Sequence, residues 1–196
     1  MKRNRIVTLL SGGADSMVMC DLLFKQKGFA PIPLFIDYGQ RSAKQEYRAA
    51  VAYAKGKQRL HKVSLGLKGV RLDSQLITGK FKDDSFFPGR NLLLLVVAAW
   101  KACELKTDFI AIGLRDLAAF PDTSGVFVRS FSGLSYLAFR RKLTVLAPLL
   151  NFSKKEVLNL GRELGTKLHL SYSCYLGRSR PCGRCLACKD RDALLT

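Results

Sequence analysis

The feature of the sequence that most restricts its fold is a glycine pair placed between an apolar run and a helical pattern. Residues 5–10 are apolar and lead into Ser11-Gly12-Gly13-Ala14-Asp15-Ser16, and residues 15–25 then show helical spacing of apolar side chains. This order predicts a buried strand, a tight loop and a helix. The start of such a helix presents backbone N–H groups and a positive dipole end to anions, so we expect a phosphate site. A capped turn without a ligand gives the same pattern and is the alternative.

The rest of the chain repeats the alternation of strand and helix. Strands are predicted for residues 31–36, 61–65, 109–113 and 145–150, and helices for residues 42–55, 90–104 and 153–164. This alternation predicts an α/β fold, in which a parallel sheet carries helices on both faces. We interpret residues 1–170 as this domain and residues 171–196 as a small segment packed on it. Ligands of such sheets bind beyond the carboxyl ends of the strands, so we expect the site there.

Four of the six cysteines are crowded near the C-terminus, which predicts a metal site. They are Cys174, Cys182, Cys185 and Cys188. Their tight spacing is typical of closed zinc sites, whereas a redox-active CxxC pair is the alternative. Four thiolates leave no coordination position for water, so we expect this Zn²⁺ to be structural. The other two cysteines, Cys20 and Cys103, lie in apolar helical stretches and are predicted to be core residues.

The chain is strongly basic, with 33 Lys+Arg against 15 Asp+Glu and a net charge of +18. Such a charge predicts anionic partners: nucleotides, nucleic acids or acidic proteins. Residues 124–144 are rich in basic and aromatic residues and contain no acid, which suits a nucleic acid. An amphipathic helix with a basic solvated face is the alternative for this stretch.

The N-terminal residues do not resemble a signal peptide, because their apolar run is short and lacks a cleavage pattern. Another apolar run, residues 92–100, is too short to cross a membrane. We therefore expect a cytoplasmic protein without a membrane partner. Residues 92–100 could belong to the core or to the interface of a homodimer.

Several motifs together resemble one enzyme family. The loop SGGADS is similar to the PP-loop of the ATP pyrophosphatases, and Asp37-Tyr38-Gly39-Gln40-Arg41 resembles the DYGQR segment of 7-cyano-7-deazaguanine synthases. Further matches follow in the family's order: His61-Lys62-Val63, Pro88-Gly89-Arg90-Asn91, Gly113, Asp116, Pro121-Asp122, Pro148-Leu149, Ser153-Lys154-Lys155-Glu156 and the cysteine motif. The chain departs from the family at Met17, where a hydroxyl residue is usual, and in the residues before Pro121.

The resemblance implies an adenine nucleotide alpha hydrolase-like, Rossmann-like fold and a ligase of queuosine or other 7-deazaguanine biosynthesis. Such an enzyme converts 7-carboxy-7-deazaguanine and ammonia into 7-cyano-7-deazaguanine through an acyl-adenylate and an amide. The resemblance also implies ATP, Mg²⁺ and Zn²⁺ as cofactors. Related enzymes are commonly dimers, so a homodimer is a further expectation.

The resemblance also assigns site residues. The implied ATP-binding residues are Leu10, Ser11, Gly12, Gly13, Ala14, Asp15, Ser16, Met17 and Val18. The implied catalytic residues are Asp15, Ser16, Asp37, Arg90 and Asn91. The implied substrate-binding residues are Tyr38, Gln40, Arg41, Asp116 and Asp122. A carboxylate can accept two hydrogen bonds from a guanine-like edge, which is the role expected of the last two residues. For these aspartates a solvated loop is the alternative, and for Arg90 and Asn91 it is an ordinary helix start.

Two other functions are compatible with the sequence. A PP-loop enzyme could adenylate and modify a macromolecule, namely tRNA, DNA or a protein, which the net charge favours. A non-catalytic zinc protein could bind nucleic acid, although the intact SGGADS loop argues against this function.

Overall fold

A computed structural model describes residues 3–66, 74–78, 87–115 and 120–192 of the chain. In these ranges five parallel strands form one sheet in the order β3-β2-β1-β4-β5. The strands are β1 Asn4–Leu9, β2 Phe29–Asp37, β3 His61–Ser64, β4 Phe109–Ala111 and β5 Thr144–Leu146. The strand order reverses at β1, and a crevice opens at such a switch point, here between β1 and β4.

Helices cover both faces of the sheet. They are α1 Ala14–Lys25, α2 Ala43–Ala54, α3 Gln75–Thr78, α4 Arg90–Glu104, α5 Gly125–Phe139, α6 Lys154–Glu163 and α7 Leu186–Asp192. Helices α1, α2 and α6 share one apolar core with the sheet, whereas α4 and α5 share the other. The predicted α/β class with a parallel sheet is therefore confirmed. None of the described helices is long and apolar enough to cross a membrane.

The central strand β1 is buried on both sides, which explains its uninterrupted apolar sequence. Successive side chains of a strand point to opposite faces. Accordingly Ile6 packs in the core beneath α1, α2 and α6, and its neighbour Val7 packs in the core beneath α4 and α5. Both side chains are fully buried. This double burial anchors the loop that follows β1.

Two elements differ from the predictions made from the sequence. The strand predicted for residues 145–150 ends at Leu146, because a turn follows in which the Leu150 N–H donates to the Ala147 carbonyl at 3.1 Å. Residues 124–144 contain helix α5, as the alternative interpretation expected, but its exposed face carries the apolar side chains Val126, Leu134 and Leu137 and is not the basic face of that interpretation. Its N-cap is Ser124, whose side chain accepts a hydrogen bond from the Phe127 N–H.

Candidate active site

A cavity of 770 Å³ opens at the carboxyl ends of the strands. Its walls come from the loop after β1, from residues 112–115 after β4, from the start of α4 and from α6. The C-terminal cysteine segment, which we define as residues 171–192, adds a further wall through Tyr172, Ser173, Tyr175 and Ala187. The cavity therefore lies where the sheet topology predicts a ligand site.

The loop after β1 keeps its helix start accessible to a ligand. No side chain caps α1, whose N-cap residue is Gly13. The Ser16 hydroxyl donates to the Gly13 carbonyl at 2.8 Å, and the Ser11 and Ser16 hydroxyls are 3.2 Å apart. The first-turn N–H groups of α1 thus face the cavity together with two hydroxyls, an arrangement that suits an anion.

Gly12 allows this loop to pack tightly. Its φ is +81°, and a Cβ atom built there would lie 2.2 Å from the carbonyl oxygen of Glu46 in α2. A larger residue would therefore displace the loop from α2. The loop conformation depends on glycine at this position, as the sequence motif suggested.

Two cations neutralise the Asp15 carboxylate inside the cavity. Lys154 Nζ lies 2.5 Å from Oδ1, and Arg115 Nε lies 3.3 Å from Oδ2. All three side chains line the cavity and are only partly exposed. Two positive charges face one negative charge, so the surroundings of the loop favour a polyanion such as a triphosphate.

Arg115 and Lys154 were given no role by the sequence analysis. Lys154 was visible as part of the Ser153-Lys154-Lys155-Glu156 match, at the first position of α6. Arg115 follows β4 closely, so its place at the ligand edge of the sheet was the signal that could have identified it.

Not every residue of the implied ATP-binding run reaches the cavity. Ser11, Gly13, Ala14, Asp15 and Ser16 line it. Leu10, Met17 and Val18 are instead buried in the core shared by α1, α2 and α6. The helical period of α1 directs the side chains of Met17 and Val18 into the core and away from the loop. The absence of a hydroxyl at these two positions therefore does not deprive the loop of a phosphate ligand.

The DYGQR segment after β2 forms a hydrogen-bonded turn behind the cavity. Asp37 Oδ1 accepts a hydrogen bond from the Gly39 N–H at 3.1 Å. The buried Gln40 side chain accepts from the Tyr38 N–H at 2.9 Å and donates to the Ile36 carbonyl at 3.3 Å. None of Asp37, Tyr38, Gln40 and Arg41 lines the cavity as described.

This turn supports Glu46, a cavity-lining residue that the sequence analysis did not single out. Gln40 Nε2 donates to Glu46 Oε2 at 3.0 Å, and Ser42 Oγ donates to Oε1 at 2.8 Å. Burial raises the pKa of the Glu46 carboxyl, although both hydrogen bonds oppose the shift. In the sequence Glu46 looked like an ordinary acid in the first turn of a helix.

The start of α4 brings Arg90 and Asn91 to the cavity, as predicted. The buried Asn91 is held by Asp122, whose Oδ2 accepts from the Asn91 N–H and whose carbonyl accepts from Asn91 Nδ2, both at 3.0 Å. Asp122 is not among the described residues that line the cavity. Its carboxylate instead accepts a hydrogen bond from a backbone N–H group at the start of α4. Asp116 lies outside the described residues.

The four clustered cysteines form a donor set that fits a metal ion. Their sulfur atoms all lie within 4.8 Å of one another, and the Cys182 and Cys188 sulfurs are 3.9 Å apart. A tetrahedral site with Zn–S bonds of about 2.3 Å places its sulfurs roughly 3.8 Å apart. The spacing therefore fits tetrahedral coordination. Cys20 is buried in the core of α1, as predicted, and Cys103 is half-buried in α4.

The cysteine environments favour thiolate at one position. Desolvation opposes ionisation of Cys182, yet hydrogen bonds from the backbone N–H groups of Arg184 and Cys185 lower its pKa to about 6. Desolvation raises the pKa of Cys188 to about 12. A cation at the centre of the cluster would stabilise all four thiolates.

The cysteine segment touches both loops of the site. The Tyr172 N–H donates to the Gly12 carbonyl at 2.9 Å. Gly177 has φ of +65°, and a Cβ atom there would lie 2.1 Å from the Arg41 carbonyl oxygen. These backbone contacts connect the cysteine segment to the loop after β1 and to the DYGQR turn.

Solved structures confirm the fold. The U34-tRNA thiolase NcsA from Methanococcus maripaludis, solved with its [4Fe-4S] cluster, is 23% identical with a TM-score of 0.58. The alignment covers 98% of this chain, which spans 65% of the thiolase chain. NMN synthetase from Francisella tularensis is 15% identical with a TM-score of 0.51, over 98% of this chain and 76% of that one. At these identities the likeness concerns the fold alone.

Relatives found by sequence identify the family as well as the fold, because they are more similar to this chain. A 7-cyano-7-deazaguanine synthase from Prochlorococcus marinus (strain AS9601) is 32% identical over 98% of this chain and 94% of its own length. One from Myxococcus xanthus (strain DK1622) is 34% identical over 94% of this chain and 89% of its own length. The family model described as "Queuosine biosynthesis protein QueC" matches residues 5–196. The resemblance found in the sequence is thus confirmed, and the chain belongs to the QueC family.

Proposed function

We propose that the chain uses ATP to convert 7-carboxy-7-deazaguanine and ammonia into 7-cyano-7-deazaguanine. The observation that carries this proposal is the cavity-lining loop after β1, which offers uncapped helix N–H groups beside Arg115 and Lys154. An uncapped helix start with two neighbouring cations binds phosphate well. The relatives that share the whole length of the chain are synthases of this product.

The phosphates of ATP would bind at the loop. Ser11 and Ser16 supply hydroxyl donors, and the first turn of α1 supplies backbone N–H groups. Lys154 and Arg115 form ion pairs with Asp15 in this structure. They would turn towards the phosphates of ATP, which are a stronger anion. Asp15 would then be free to hold Mg²⁺, which neutralises phosphate charge when bound.

The deazaguanine would bind on the side of the cavity formed by α4 and the cysteine segment. Arg90 offers a cation for the substrate carboxylate, and Asn91 offers an amide whose position Asp122 fixes. Tyr175 and Leu94 supply apolar area for a flat heterocycle. Asp37 and the other residues of the DYGQR turn would act indirectly, by holding Glu46 and the loop.

The chemistry requires two activations. The substrate carboxylate attacks the α-phosphorus of ATP, which releases pyrophosphate and gives an acyl-adenylate. Ammonia displaces AMP, loses a proton and leaves the amide. The amide oxygen then attacks a second ATP, again releasing pyrophosphate, and loss of two protons and AMP gives the nitrile. The protein contributes positioning and charge neutralisation to each step.

The cysteine cluster would hold Zn²⁺ through Cys174, Cys182, Cys185 and Cys188. Four sulfur donors close the coordination shell, so the metal would stabilise the cysteine segment and take no part in the reaction. The [4Fe-4S] cluster of the related thiolase fold is an alternative occupant. Metal analysis of the purified protein distinguishes one zinc ion from iron and sulfide.

The test is product analysis by mass spectrometry. The purified protein is incubated with ATP, Mg²⁺, ammonium and 7-carboxy-7-deazaguanine, beside the Ser11→Ala and Asp15→Ala variants. We expect the wild type to form the nitrile and AMP, and both variants to lose this activity. Absence of amide and nitrile from a metal-loaded protein that binds ATP would contradict the proposal. A parallel incubation with tRNA tests a macromolecular substrate, which the net charge of +18 favours.

A further inference from the structure

Glu46 occupies an unusual position for an acid in the first turn of a helix. Its side chain is partly buried and lines the cavity, while its backbone carbonyl contacts Gly12 of the loop. Gln40 and Ser42 fix its two carboxylate oxygens at 3.0 and 2.8 Å. A carboxylate held in this way is oriented, and each oxygen keeps a lone pair that can accept a proton.

The charged and titratable groups around Glu46 come from three sides. Arg90 of α4 favours its charged form, and Asp37 at the end of β2 opposes it. Tyr38 and Tyr172 face it from the DYGQR turn and from the cysteine segment. Burial has the largest effect and raises the pKa of the carboxyl. A carboxylate whose pKa moves towards neutrality becomes a better general base.

Other proton acceptors in the described cavity are less suited to this task. Both carboxylate oxygens of Asp15 are already engaged in ion pairs, Oδ1 with Lys154 and Oδ2 with Arg115. His169 also lines the cavity, but it is exposed to solvent and lies in the segment that follows α6. Glu46 shares its electrostatic environment with Arg90, on the side of the cavity where the proposed substrate would bind.

The proposed reaction removes three protons from the nitrogen of ammonia. The nitrogen becomes positively charged when it attacks the acyl-adenylate, and it must lose one proton as AMP leaves. The adenylated amide must then lose both of its N–H protons, the first to give a neutral imidate and the second as its C–O bond breaks and the third C–N bond forms. All three protons leave the same nitrogen, so one well-placed base that passes each proton on to solvent can serve both the amide-forming and the nitrile-forming steps.

We propose that Glu46 is the general base that accepts these protons one after another. Gln40 and Ser42 are positioning residues, which aim its carboxylate at the substrate nitrogen. This inference rests on the proposed function, because it assigns a residue to the amide-forming and nitrile-forming steps. Adenylation needs no such base, since the attacking carboxylate is already ionised.

The test compares Glu46→Gln with Glu163→Gln in the full, metal-loaded chain, because Glu163 is exposed at the end of α6 and is not among the described residues that line the cavity. Glutamine keeps an acceptor for Gln40 and Ser42 but cannot take up the proton. Each variant is given 7-carboxy-7-deazaguanine or, separately, its 7-amide, with ATP, Mg²⁺ and ammonium. Release of pyrophosphate in the first turnover is followed separately from formation of amide and nitrile.

For Glu46→Gln we expect kcat for amide and nitrile formation to fall by roughly 10²- to 10⁴-fold, the usual contribution of a general base. KM, ATP affinity and the first release of pyrophosphate should be unchanged. Glu163→Gln should keep normal turnover. A raised KM with unchanged kcat would show that Glu46 only binds substrate, and loss of pyrophosphate release would show that it only shapes the loop. Either result overturns the inference.

A second variant keeps the inference testable if Glu46→Gln does not fold. Ser42→Ala removes one donor to the carboxylate, which should raise the pKa of Glu46 further. The acidic limb of the kcat profile should therefore move to higher pH, whereas an unchanged limb would overturn the inference. A wild type that forms neither amide nor nitrile would instead contradict the proposed function, and the role of Glu46 with it.

Discussion

The loop after β1 and the cysteine segment form two walls of the same cavity, but they are held in place differently. The loop continues a central strand whose side chains Ile6 and Val7 are fully buried on opposite faces of the sheet. In the cysteine segment the buried cluster consists of Cys174, Cys185 and Cys188, with partly buried side chains around it. Apolar burial is sufficient to order the loop, whereas we expect the segment to need bonds from its cysteines to a metal.

The two walls are nevertheless connected. The hydrogen bond from Tyr172 to the Gly12 carbonyl joins the segment to the loop, and Gly177 packs against the Arg41 carbonyl. Under the proposed function, a nucleotide at the loop would meet a wall whose order we expect to depend on the metal. Four substitutions or treatments can separate the contribution of each wall.

The largest effect is expected from removal of the metal, by a chelator or by Cys185→Ser. Structural zinc contributes roughly 10 kcal/mol or more to the folding of small sites, so the segment should unfold and product formation should stop. Hydrogen exchange measured by mass spectrometry should show rapid exchange in residues 171–192 and protected amides in β1. Cys103→Ser is the control, since Cys103 lies in α4, outside the cluster. Protection of the segment without metal would contradict its dependence on the ion.

The second-largest effect is expected from Gly12→Ala, which changes the loop itself. A Cβ atom there combines a left-handed φ of +81° with a 2.2 Å approach to the Glu46 carbonyl. Strain and overpacking together should lower the free energy of unfolding by roughly 3 kcal/mol and abolish ATP binding. Gly39→Ala is the matched control, because its φ is +93° but no atom of the described residues lies within 4 Å of a Cβ built there. Urea denaturation and calorimetric ATP titration measure both quantities, and equal losses in the two variants would contradict the packing explanation.

The corresponding change in the cysteine segment is Gly177→Ala. The new Cβ would lie 2.1 Å from the Arg41 carbonyl, so the segment should move away from the DYGQR turn by a local adjustment. We expect turnover to fall by about tenfold while zinc content and the global free energy of unfolding hardly change, because overpacking of roughly 1–2 kcal/mol would be relieved at the contact.

Gly183→Ala controls for backbone strain in this experiment. Gly183 has φ of +68°, close to the +65° of Gly177, but a Cβ atom at this position would have no described neighbour within 4 Å. Its turnover should therefore stay near that of the wild type. If both variants lose activity equally, the loss is caused by backbone strain in the segment and not by its contact with Arg41.

The sequence predicted the fold and the clustering of the four cysteines well because both depend on local patterns. The apolar run of β1 and the spacing of the four cysteines are each readable without knowledge of distant contacts. Glu46, Arg115 and Asp122 could not be assigned in the same way. Glu46 lines a cavity whose other walls come from α4, α6 and the cysteine segment, and Asp122 caps a helix start 31 residues earlier in the chain. Such contacts arise only when the strands are assembled.

The smallest effect is expected from Ser153→Ala at the start of α6, the helix that carries Lys154 to Asp15. Ser153 and Glu156 form a capping box, as the sequence predicted. Loss of the cap should cost about 1 kcal/mol of unfolding free energy at neutral pH, with turnover nearly unchanged because other contacts hold α6. The exposed Ser130 of α5 provides the control substitution.

The pH dependence of this cap sharpens the test. Hydrogen bonds from the Ser153 side chain and backbone lower the pKa of Glu156 below its ordinary value. The stabilisation is therefore present above the pKa of an unfolded glutamate and is lost as the pH falls through the lower, folded value. In Ser153→Ala the Glu156 pKa should rise towards the ordinary value, which an NMR titration would detect. A large loss of turnover in this variant would mean that the position of Lys154, and with it the loop side of the cavity, depends on the cap more than on the sheet.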